Sequence, residues 1–246
     1  MLNQIRLENL IFIDIETVKE HHHFSELDEV AASLWNKKSG YFKDSHLESE
    51  ENLYKNRAGL YAEFAKVVCI SVAFMIKNAE GGFDLRLKSF YGDEESIILT
   101  EFKELLDQYY KHTRYAFCGH NVKDYDLPFL MRRMIINQIP LPAKFIVKGS
   151  KYFQLPAIDT FQIWKFGDHR NFTSLKLLQK ALKIDFPRYS DIEGNDIDRL
   201  YWENKDMEGI IEHCQDDVIT VAQLMLRFKN FELLSRENIN IIESSD

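Results

Sequence analysis

The segment LIFIDIETV, residues 10–18, sets two carboxylates into an otherwise apolar run. A short apolar, β-branched run of this kind is a strand covered on both faces. Side chains two apart on a strand share a face, so Asp14 and Glu16 project together. Burying one carboxylate is costly, burying two side by side costs more, and a bound cation is the usual remedy. Taken alone, the pair also fits an exposed strand end that feeds a helix cap.

Two further segments carry acids in equally telling places. In DYDLPFLMRRM, Asp126 precedes Leu127 and Pro128, and apolar residues recur at Leu127, Leu130, Met131, Met134 and Ile135. That spacing predicts a helix with Asp126 as its N-cap and proline tolerated in the first turn. In IIEHCQDDVITVAQLMLRF, residues Ile211, Cys214, Val218, Val221, Met225 and Phe228 are spaced alternately three and four apart, which predicts an amphipathic helix. At about 100° per residue, Asp217 falls on the flank of the apolar stripe and Asp216 points away from it, towards water. His213, one turn before Asp217, shares its flank.

In the order and context of these three motifs the chain resembles the DEDD family of 3′-to-5′ exonucleases, and more closely the branch related to the proofreading domain of family B DNA polymerases. Asp14-Ile15-Glu16 matches the first motif, Asn121 with Tyr125-Asp126-Leu127-Pro128 the second, and Asp217-Val218 the third. LYAEFAKVVCISVAF, DTFQIWKFGDHRNFTSLKLL and IEGNDIDRLYW look like that branch too, so the resemblance runs over most of residues 7–230. One position departs from it. The branch normally has Tyr four residues before the last Asp, and His213 stands there instead.

The resemblance implies a ribonuclease-H-like α/β fold, a mixed central sheet flanked by helices, with the catalytic acids gathered at its centre. It implies phosphodiester hydrolysis at nucleic-acid 3′ ends by a two-metal mechanism. Asp14, Glu16, Asp126 and Asp217 would hold two divalent cations, and all-oxygen ligation favours Mg²⁺ or Mn²⁺ over zinc. His213 is expected either to accept the proton of the attacking water or to orient that water. A ribonuclease-H-type endonuclease and a catalytically weak nucleic-acid-binding module are the alternatives. Internal fragments would mark the first, and retention of all four carboxylates argues against the second.

The formal net charge of −8 excludes a broadly basic coat for nucleic acid but not a local groove. Between Lys144 and Lys183 there are seven Lys and one Arg against Asp159 and Asp168, interleaved with Tyr152, Phe153, Phe161, Trp164, Phe166 and Phe172. This stretch is the expected contact for a single-stranded 3′ end of DNA or RNA, through Lys148 and Lys151. Asn121, Ser174 and Lys176 are further candidates for substrate contact. Solvated lysines around core aromatics would give the same pattern. Asp159 is either an acid near the site or a turn or helix cap.

A single domain over residues 1–246 is expected, of a length that buries a sizeable core. Residues 19–63 form a helical insertion after the first strand that flanks the substrate path or is padding, and residues 236–246 form a frayed tail. SLKLLQKAL is a helix capped by Thr173. Cys69, Cys118 and Cys214 are odd in number and set in apolar runs, as reduced core thiols are. No apolar run reaches the roughly 18 residues of a membrane span, no signal-peptide pattern opens the chain, and a soluble cytoplasmic protein is expected.

Overall fold

A computed structural model describes residues 2–43, 45–110, 114–145, 157–168, 172–185, 192 and 194–242. Lys148 and Lys151 lie outside the described residues. The first strand, β1 (Leu10–Lys19), leads into two insertion helices, α1 (Glu29–Ser39) and α2 (Glu50–Arg57). The hairpin β2 (Ala65–Lys77) and β3 (Phe83–Tyr91) follows, then α3 (Glu95–Tyr109), β4 (Ala116–Gly119) and α4 (Asp126–Ile136). The second half holds β5 (Ala157–Asp159), α5 (Thr160–Lys165), α6 (Leu175–Ala181), a short α7 (Ile197–Arg199) running into a π turn at Leu200–Asn204, the long α8 (Met207–Phe228) and β6 (Ile239–Ile242).

The strands form one mixed sheet in the order β5-β4-β1-β2-β3-β6. β1 pairs antiparallel with β2 and parallel with β4, which is why its apolar run is continuous: both faces are covered. Ile11, Ile13 and Ile15 pack towards α3 and α4, whereas Leu10 and Phe12 pack towards α8. Asp14 and Glu16, two and four residues beyond Phe12, therefore take the α8 face. The β1–β2 register slips between Glu16 and Thr17, with Val68 as the extra residue, at the edge of the acidic pair. The insertion carries a small core of its own, built on Trp35, Leu53, Tyr54, Ala58 and Phe64.

Four expectations change. The tail does not fray at its start, because Ile239–Ile242 pair parallel with β3 as the sixth strand. Ser174, rather than Thr173, caps α6 by accepting from the Leu177 N–H. Asp126 is the first residue of α4 and not its cap: Tyr125 holds the cap position, with no side-chain cap hydrogen bond. Asp216 does not face water: it is 2% exposed. The reason is that α8 is covered on more than its apolar stripe, with α5 and α6 also packed against it. His213, Asp216, Thr220 and Gln223, three or four apart, form a second, polar and buried stripe. Gln223 at its end clamps the Leu234 backbone through two hydrogen bonds of 2.9 and 3.0 Å.

The three cysteines are free and buried. Among the described residues no helix is long and apolar enough to cross a membrane.

Candidate active site

A cleft of about 550 Å³ opens where the C-terminal half of β1 meets the N-terminus of α4 and the middle of α8. Asp14, Glu16, Asp126 and Asp217 all line it, as do His213, Asn121, Ser174 and Lys176. Of the sequence-derived candidates within the described residues, every one reaches this cleft.

Each side chain is placed by a local device. Asp126 is buried at the first turn of α4. The loop before it is held by Asp159, at the end of β5. One Asp159 oxygen accepts from the N–H groups of Asn121, Phe161 and Gln162, and the other from Lys123, at 3.0–3.3 Å. Asp159 is thus a clamp on the loop and the cap of α5, not a member of the cleft lining. Asn121 takes the left-handed conformation at φ 64°, and its carbonyl accepts from Asp124 and Tyr125. The Tyr125 hydroxyl reaches Thr17 Oγ1 at 2.7 Å, closing the loop onto β1. His213 Nε2 lies 3.6 Å from Glu16 Oε1, so the residue that departs from the family pattern stands directly beside an acid of the first motif.

The electrostatics are those of an anion cluster. Burial, then Glu16, Asp126 and Asp217 in turn, push Asp14 well above the usual carboxylate range. Burial and Asp217 do the same to Glu16. Asp126 is pushed up to about 7, by burial and by Asp159 and Asp217. Such a set fits a divalent cation, which relieves the repulsion that raises all three. Asp14, Glu16 and Cys214 bring donor atoms within 4.8 Å of one another. The Cys214 thiol, however, points at the Asp14 carbonyl at 3.5 Å, and burial pushes its ionisation far up, so carboxylate oxygens are the fitting donors. A hard, oxygen-only set matches Mg²⁺ or Mn²⁺.

The sheet order, the acids at the end of β1 and the covering α8 agree with what a family comparison finds. Residues 57–228 match the RNase_H_2 model of the RNase H superfamily. The chain belongs to the RNase H superfamily. Its fold resembles the family B DNA polymerase of the hyperthermophilic archaeon Pyrobaculum calidifontis, with a TM-score of 0.52 and 15% identity over 89% of this chain. The chain spans only 24% of that polymerase. No curated protein matches its sequence. The match to the RNase H superfamily begins after β1, so the membership of Asp14 and Glu16 in the site rests on geometry, with Asp126 and Asp217 supplied from within the matched span.

Sequence reasoning passed over His120, which lines the cleft, and undervalued Phe172, which stands on its rim at 72% exposure. The signal for both was position: His120 directly precedes Asn121, and Phe172 lies two residues before the cap of α6.

Proposed function

We propose that this RNase H superfamily nuclease is a divalent-metal-dependent 3′-to-5′ exonuclease acting on single-stranded 3′ ends of DNA or RNA. The observation that carries this reading is the convergence of Asp14, Glu16, Asp126 and Asp217, from three distant segments, on one cleft with an exposed aromatic ring and a lysine on its wall. Bound divalent ions supply an activated hydroxide and offset charge on the phosphate and leaving oxygen. The four carboxylates would hold two such ions, and His213, beside Glu16, would take or hold the proton of the attacking water. Phe172 offers a face for a base, and Lys176 and Ser174, at the start of α6, offer phosphate contacts.

A second cavity of about 660 Å³ supports cleavage at ends. It adjoins the first across Ile15, Glu16 and Tyr125, and is walled by Lys55, Asn56 and Leu60 of the insertion and by Asp198, Arg199 and Glu203. The ion pair of Lys19 Nζ with Asp198 Oδ2, at 3.3 Å, lies along it, and the Lys19 N–H also donates to Asp198. That space gives a terminal nucleotide room beside the acids.

The test is incubation of 5′-labelled linear strands and internally labelled circular single strands of DNA and RNA with Mg²⁺, Mn²⁺ or chelator. Stepwise shortening of linear substrate, dependent on metal and lost in Asp14→Ala, is the expected result. Nicking of the circle would establish an endonuclease, and binding without cleavage a recognition module.

A further inference from the structure

His120 links the loop that delivers Asp126 to the Phe172–Lys176 wall of the cleft. It follows Gly119, the last residue of β4, and precedes Asn121, so it sits on the same loop that delivers Asp126. Gly119 keeps this loop tight, since a Cβ there would lie 2.7 Å from that of Val122. Both ring nitrogens of His120 are engaged. Nε2 faces the Thr173 carbonyl at 2.9 Å and must donate to it, because a carbonyl only accepts. Nδ1 lies 3.0 Å from the Thr160 hydroxyl, which also reaches the Gly119 carbonyl at 3.1 Å. The ring edge meets Phe161 at 5.5 Å between centroids, and Phe161 in turn meets Phe172 at 5.1 Å. The backbone of Thr173 and the ring of Phe172 are therefore both hung on His120, one by a hydrogen bond and one through Phe161. Those two residues immediately precede Ser174 and Lys176.

We infer that His120 is a positioning residue for substrate: it fixes the Phe172–Lys176 wall of the cleft relative to the loop that carries Asp126, so that a strand stacked on that wall presents its phosphate to the acids. The inference rests on the nuclease reading above. Both ring nitrogens of His120 are taken up by Thr173 and Thr160, so its effect passes through Thr173 and Phe172. Losing the Nε2–H donor frees the wall without disturbing β1, whose acids are held by β2, β4 and α8.

Hydrogen exchange and steady-state kinetics on His120→Ala test this together, with His120→Gln as the conservative variant, since a Gln amide supplies a donor near the place of Nε2. In His120→Ala, amides of residues 172–178 should exchange severalfold faster while those of residues 10–19 stay unchanged. KM for a single-stranded oligonucleotide should rise about tenfold, the worth of one hydrogen bond, with kcat within about twofold. His120→Gln should recover both readouts. Unchanged exchange at residues 172–178 overturns the inference, as does faster exchange there with KM unaltered, or a fall in kcat accompanied by faster exchange in β1. A wild-type protein that neither cleaves nor binds the oligonucleotide overturns the nuclease reading together with the role given to His120. A wild type that cleaves, with unaltered KM in His120→Ala, overturns the latter alone.

Discussion

Asp126 is a cleft carboxyl whose charge changes near neutral pH. Its carboxyl is pushed up to about 7 in the folded protein, against an ordinary value near 4 once the chain is unfolded. Between those two values the folded state binds more protons than the unfolded one, so without metal the stability it contributes falls as pH rises from about 4 to 7 and does not return above that. Thermal melts in chelator should therefore show Tm dropping across this window, and Asp126→Asn should flatten the drop. Saturating Mg²⁺ or Mn²⁺ should raise Tm most at the upper end, where the carboxylates would otherwise repel one another. A Tm that climbs with pH through the same window would show that the cluster is not strained. The neighbouring pair on α8 separates structure from chemistry. Asp216→Ala should cost about 1–3 kcal/mol of stability, the penalty for breaking up a buried polar stripe. His213→Ala should instead lower kcat by roughly 10²–10⁴-fold if the imidazole acts as a base, and by less if it only orients water. Denaturant melts and single-turnover rates on the two variants distinguish these effects. Equal loss of stability in both, with the single-turnover rate unaltered in His213→Ala, would give His213 a structural role alone.

At the scale of elements, α4, whose first residue is Asp126, is locked to α3 by a buried ion pair. Arg133 on α4 donates to both oxygens of Glu95 on α3, with the shortest contact at 2.6 Å, and to the Ala62 carbonyl at the end of the insertion. Glu95 also accepts from the Val67 N–H of β2 and from Asn137. Because removing one partner leaves the other charge buried, Arg133→Ala should cost about 3–5 kcal/mol in urea unfolding. A cost below about 1 kcal/mol would mean that water reaches Glu95 readily. Elements of this kind differ in how plainly the sequence writes them. α4 and α8 were legible because their periodicity is long and their faces differ in polarity, and β1 because its apolar run is nearly continuous. β5 and β6 were not: three and four residues are too short for a pattern, and each exists because a neighbouring strand offers an edge. The burial of Asp216 was hidden for another reason. Helical periodicity locates the most apolar stripe, but it cannot reveal that a second, polar stripe is buried as well. The four carboxylates were legible because acids in apolar surroundings demand a partner. His120 was not, since its role depends on Thr173, 53 residues away, lying opposite its ring.

Across the whole molecule, a net charge of −8 sets a repulsive background for any nucleic acid, so attraction has to come from a few cations at the cleft itself. Two lie on opposite sides of the acids: Lys176 at the start of α6, on the wall with Phe172, and Lys55 on α2, in the cavity beneath the insertion. If the substrate spans both cavities, each lysine neutralises a phosphate and each releases counterion on binding. The slope of log affinity against log salt for a single strand should then shrink by about 0.7 per lysine removed. Binding should be measured by fluorescence anisotropy with Ca²⁺ in place of the catalytic ion. Lys176→Ala and Lys55→Ala should each flatten the slope by that amount, and the double variant by the sum, because the two lysines stand on different elements and line different cavities. Phe172→Ala should weaken binding by about 1–3 kcal/mol without changing the slope, since stacking moves no counterion. A slope altered by Lys176→Ala but not by Lys55→Ala would place the strand wholly along α6 and remove the insertion from the substrate path. The reverse would put the strand under the insertion and leave the α6 wall to the terminal base.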